Sequence, residues 1–248
     1  TTNSDRKTKM IMMDSDISSS ALLPGLVAVF VHATFQLGIS VLTLLSGHSL
    51  ARQRSQSKMM RLDVGYILGS WLMNCLLLFC LLQLIQPIAR AEETWVWVLV
   101  AIATSVVSIA VMLAYYRRGR GTMLWIPRPF ASYLVLRARK TRNSVEAAAL
   151  GMMTVLAELP FTLVIMVVIA LLGGYLGLYE QFILAAVYAL LVSLPLVLII
   201  IMLGGGHRLS DVQRWRESNK TFMQYSAGLG MLAIAFYVIV FRLLGVGA

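Results

Sequence analysis

Six long stretches of this chain carry almost no charge, and that feature constrains its fold more than any other. They run from about Ala21 to Leu45, Val64 to Ile85, Trp95 to Tyr116, Ala147 to Leu172, Phe182 to Leu203 and Met223 to Leu244. Each reaches the roughly 20 apolar residues that a helix needs to cross a bilayer. None shows the period-two alternation of a barrel strand, so helices must satisfy the backbone groups in hydrocarbon. Ser46-Gly47, Pro87, Gly173-Gly174 and Gly204-Gly205-Gly206 close four of the runs, and Trp95, Trp97, Tyr115 and Tyr116 give the third an aromatic residue pair at each end. With 59% hydrophobic and 13% charged residues, against about 25% charged in soluble domains, a water-soluble globule is excluded. The expectation is an all-α polytopic membrane protein: six transmembrane helices over 21–244 behind a polar, disordered extracytoplasmic tail, 1–20. That tail has no apolar core before Ala21 and does not read as a cleavable signal peptide.

The net charge of +10 raises nucleic-acid binding as a rival reading, which the placement of the charges answers. Sixteen of the 21 Lys and Arg residues fall after the first, third and fifth runs, and the intervening connections carry Arg90 with Glu92 and Glu93, or Glu180 alone. Lys and Arg are retained on the cytoplasmic side, so both termini are expected outside a multi-pass inner (plasma) membrane protein. Within the largest basic connection, 129–140 reads as an amphipathic helix, with Phe130, Tyr133, Leu134 and Arg137 at helical spacing, suited to an anionic cytoplasmic leaflet. No basic platform interleaved with aromatics lies elsewhere, so nucleic acid is not an expected partner.

Intramembrane ionisable groups are costly and mostly face an interior, so they are the best functional pointers. The fourth run holds Glu158 near its middle, with Thr154 and Thr162 at i−4 and i+4 on the same helical face. Pro160 removes a backbone donor and displaces the Leu156 carbonyl beside that carboxylate. His32, Gln36 and Ser40 repeat the spacing in the first run, where Gly38 stands in the place of Pro160. Gln36-Leu37-Gly38-Ile39-Ser40 thus matches Glu158-Leu159-Pro160-Phe161-Thr162, and runs three apart cross in opposite directions, which implies an inverted repeat of three-helix units. Glu158, protonated, hydrated or paired with His32, is the residue whose depth most needs a reason. The hydroxyls and Gln36 have a plainer alternative role as interhelical hydrogen-bonding groups.

A second echo, Gly47-His48 against Gly206-His207, marks a paired cytoplasmic gate or simply two helix ends favouring His. Gly65 and Gly69 in the second run, with Gly228 and Gly230 in the sixth, provide small surfaces for close helix contact. Cys75 and Cys80 share one apolar run, and the three His residues lie in separate segments, so neither a disulfide framework nor a zinc site is expected. Phosphate-loop, GxSxG and HExxH motifs are absent, and no cofactor and no enzymatic activity are expected.

Six spans with both ends outside, and weakened polar sites at Gln36-Leu37-Gly38 and Glu158-Leu159-Pro160, resemble the LysE-type transporter superfamily and its CcdA/DsbD relatives over about Ala21 to Leu244. In the CcdA-like branch cysteines stand near proline in those two spans; here they do not, which removes a thiol relay. The resemblance implies export of a small solute or ion from a midplane site, with Glu158 coupling a proton or cation. The alternative is a membrane scaffold or subunit, its partner a second copy or another membrane protein.

Overall fold

Leu113 is 79% exposed and Leu84 71%, and large apolar side chains cover the outer face of every long helix. Such a surface is stable only against lipid or another apolar phase. The computed structural model describes residues 23–35, 37–51, 56–91, 93–114, 128–205 and 209–245. They fold into α1 (Leu23–Thr34), α2 (Leu37–Ala51), α3 (Gln56–Arg90), α4 (Thr94–Ala114), α5 (Arg128–Lys140), α6 (Ser144–Gly173), α7 (Leu178–Gly204) and α8 (Leu209–Tyr237), with a π-helical turn over Val238–Leu243. No strand occurs among the described residues. Five helices are long and apolar enough to cross a membrane, and α1 with α2, bent by 41° at their break, make a sixth span if taken together.

Several boundaries differ from the sequence expectation. Pro87 does not close the second span, because α3 runs through it to Arg90; so near a helix end, the missing donor costs one bond. Toward the other end α3 begins at Gln56, which puts Lys58 and Arg61 on helix and not in a loop. Likewise α8 starts at Leu209, and carries Arg214, Arg216 and Lys220. Trp97 is buried against the protein, with the Arg242 guanidinium 5.0 Å above its ring, while Trp95 is exposed. The tail 1–20 and the Tyr115-Tyr116 pair lie outside the described residues.

Small residues set the closest crossing, α3 against α6. A β-carbon on Gly65 would lie 2.6 Å from the Ser144 carbonyl, and one on Gly69 or Gly151 would overlap the backbone at Ala148 or Tyr66. The second pair, α4 and α8, is joined by Gln224 Nε2, which donates to the carbonyls of Val111 and Met112 at 2.8 and 2.7 Å, and by the Ser108 hydroxyl on Gly228 O at 2.6 Å. Between α3 and α7, Trp71 Nε1 donates to Ala186 O at 3.2 Å. Asn143 caps α6, accepting from Glu146 N at 2.8 Å while Glu146 accepts from Arg142 N. The amphipathic α5 docks against α2 and α6 through Leu134 and Ala138, leaving Tyr133 and Arg137 exposed. Cys75 is buried and Cys80 exposed on α3, both as free thiols.

The apolar interior is divided in two. One cluster joins Ala28, Val31 and Phe35 to Leu78, Leu82, Ile165, Ala189 and Met231. The other joins Leu42 and Leu45 to Leu62, Leu134, Leu150 and Ile200. On α3, α6 and α7 the change from one cluster to the other falls at Ser70 and Asn74, at Thr154 and Glu158, and at Ser193. On the first span it falls at the break.

Candidate functional site: a polar layer at the break in the first span

A helix that stops inside a bilayer leaves its final carbonyls and the first amides of the next segment without intrahelical partners. At the end of α1, Phe35 N returns to His32 O at 3.1 Å and Thr34 Oγ1 to Val31 O at 2.6 Å. At the start of α2, the Leu37 amide donates to Glu158 Oε1 at 2.7 Å, and the Gly38 amide also bonds this carboxylate. Glu158, 121 residues away in sequence, thus does for α2 what an N-cap carboxylate does from two or three residues away, at the positive end of the helix dipole. From α3, the Tyr66 hydroxyl donates to Gly38 O at 3.0 Å and also meets the Thr154 side chain. The Leu37–Gly38 backbone is therefore held on one side by α6 and on the other by α3.

Beside it lies a narrow cavity between the α1–α2 break and helices α3, α6 and α7, its lining including His32, Ser70, Asn74, Thr154, Glu158 and Ser193. The space in which a water's centre fits is about 30 Å³, enough for one or two waters, since one needs roughly 10–15 Å³ by that measure. His32 is buried, its Nδ1 2.8 Å from the Tyr188 hydroxyl, and so its partner is on α7 and not Glu158. Thr154 and Ser193 hydroxyls each donate to the carbonyl four residues back, at 2.8 Å, which leaves the Ser193 oxygen to accept while Thr154 also meets the Tyr66 hydroxyl. Asn74 is 3% exposed; its Nδ2 donates to Ser70 O at 3.1 Å, while Oδ1 has no partner.

Of the residues singled out from the sequence, the structure brings His32, Thr154 and Glu158 together at the cavity. Thr162 is buried outside it, its hydroxyl on Glu158 O at 3.2 Å, and Ser40 is half-buried away from it. Pro160 is exposed, and α6 continues through it unbroken, so the helix weakening expected there falls in the first span alone. Gln36, His207 and the His48 side chain lie outside the described residues, and with them the gate. Sequence reasoning missed Tyr66, Asn74, Tyr188 and Ser193. Asp63, Tyr66, Ser70 and Asn74 fall on one face of α3 at i, i+3, i+7 and i+11, and all four are buried. Ser193-Leu194-Pro195 repeats the polar, Leu, Pro order of Glu158-Leu159-Pro160. Either pattern was a usable signal. Asp63 accepts from the Ser46 hydroxyl at 3.0 Å, tying the far end of α2 to α3.

Compared with family models, curated proteins and solved structures, the chain has no match.

Proposed function

We propose that this chain is an integral membrane transporter that couples movement of a small solute or ion, in the export direction, to a proton or cation exchanged at Glu158. The observation that carries this reading is a carboxylate at the break of a discontinuous span, lining a polar cavity between two apolar clusters. Discontinuous helices whose ends meet polar groups near the midplane are a recurrent way to build a transport site, because the freed backbone groups supply ligands without charged side chains. The matched pentapeptides Gln36–Ser40 and Glu158–Thr162 support an inverted repeat, with α1 and α2 counted as one of six spans. The basic connections support an inner-membrane orientation with both termini outside and the exposed basic residues of α5 on anionic lipid.

A second reading, a non-transporting scaffold or subunit, is favoured by one specific observation. The Leu37 and Gly38 amides give Glu158 a structural task that needs no transport. Glu158→Gln separates the two, because the amide oxygen still accepts from Leu37 N while the exchangeable charge is gone. Purified protein in proteoliposomes, tested for flux against a panel of alkali cations and amino acids with an imposed pH gradient, should transport as wild type and lose at least about 90% of flux as Glu158→Gln, in line with the tenfold and larger effects typical of such groups. A wild type that moves nothing across the panel leaves the scaffold reading standing.

A further inference from the structure

An unpartnered oxygen in a polar cavity asks for a donor or a cation. Asn74 Oδ1 is buried, its amide nitrogen is committed to Ser70 O, and among the described residues it is the one buried side-chain polar atom without a hydrogen bond. We propose that the cavity at the break binds one dehydrated alkali cation, with Asn74 Oδ1 and the Glu158 carboxylate as its principal ligands.

Three features define the ligand class. The groups able to accept here are mainly oxygens: the Asn74 carbonyl, the Glu158 carboxylate and the Ser193 hydroxyl, whose hydrogen is used on its own helix, beside the His32 imidazole, whose Nδ1 is held by Tyr188. Oxygen donors suit hard cations, whereas a transition metal prefers nitrogen or sulfur. Among the described residues no three His, Cys, Asp or Glu side chains converge on a metal position. Glu158 is the one acidic side chain in the described lining, which balances a single positive charge and leaves a divalent ion uncompensated in low dielectric. The volume, about 30 Å³, is that of one or two waters, which suits a small inorganic ion. The lining also includes Ala33 and Phe35 at the negative, C-terminal end of α1, and Gly38 at the positive, N-terminal end of α2, where the Glu158 carboxylate offsets the dipole.

This assignment deepens the transport reading and rests on it for its purpose, but binding can be measured without flux. The probe is thermal unfolding of the purified protein in detergent, with LiCl, NaCl or KCl exchanged for choline chloride at constant ionic strength. One of the three cations should raise Tm saturably, as a ligand selective for the folded state does. Asn74→Leu should weaken the half-saturating concentration by about tenfold or more, as loss of a ligand does. Asn74→Asp, which keeps the oxygen, should bind at least as tightly, and Glu158→Gln should abolish the shift. If Asn74→Leu does not fold, equilibrium dialysis of the wild type against each salt decides. No cation-dependent shift and no dialysis signal in the wild type would mean a water-filled site and would overturn the assignment, as would an unchanged response in folded Asn74→Leu. Proton-driven flux without cation binding would defeat the cation site alone; cation binding without flux would defeat the transport reading alone.

Discussion

Two five-residue segments of similar pattern behave in opposite ways. In the first span the chain breaks before Leu37-Gly38 and restarts at an angle of 41°. In the fourth, α6 passes through Leu159-Pro160 without interruption, although proline is the stronger helix breaker. Intrinsic propensity predicts the reverse. The difference lies in what surrounds each segment. α6 is clamped along its earlier turns to α3 at Gly65, Gly69 and Gly151, where backbones touch, and Pro160 sits exposed on its outer side. The first span has no such clamp but has outside partners for its freed groups: Glu158 takes the Leu37 amide and Tyr66 serves the Gly38 carbonyl. A break persists where its loose backbone groups find partners.

The largest test removes the clamp. Gly151→Val places a branched side chain into the Tyr66 backbone, and overpacking of this kind costs about 1–3 kcal/mol or more. The expected outcome is loss of the folded, monodisperse species in size-exclusion chromatography; normal yield and Tm would show that the close crossing is not required. Next is Glu158→Ala, which strands the Leu37 amide and should cost about 1–3 kcal/mol. Thermal unfolding should rank wild type above Glu158→Gln and both well above Glu158→Ala. Equal losses for Gln and Ala would sink the capping role. Tyr66→Phe deletes the donor to Gly38 O and should cost about 1 kcal/mol, read as a smaller drop in Tm. Smallest is Pro160→Ala, which restores a donor to an already continuous helix and should raise stability by under about 1 kcal/mol. A large loss there would show that Pro160 shapes the site after all.

The long apolar helices were legible from the sequence because uncharged runs of this length have few alternatives, and 129–140 was legible because its apolar spacing is helical. Glu158 was legible for the same reason, being the acid where lipid should exclude one. The break was not. Gln36-Leu37-Gly38 carries no proline, and what decides its conformation is a carboxylate that reaches it from 121 residues away. Asn74 was hidden in another way: within an apolar run one amide reads as a packing residue, and only its register with Asp63, Tyr66 and Ser70 gives the face away. His32 stood out as part of a polar stripe, but its Tyr188 partner, 156 residues away in an apolar run, carries no signal that links the two. Side-chain pairings between distant helices leave no periodic trace.

That Glu158 holds the broken span together is most directly tested by hydrogen exchange, followed by mass spectrometry, in peptides covering residues 35–42 beside the water-sized cavity. Protection at the start of α2 should be strong in wild type, nearly kept in Glu158→Gln, and weakened by about tenfold or more in Glu158→Ala. Fast exchange there in wild type, or protection indifferent to Glu158→Ala, would contradict it.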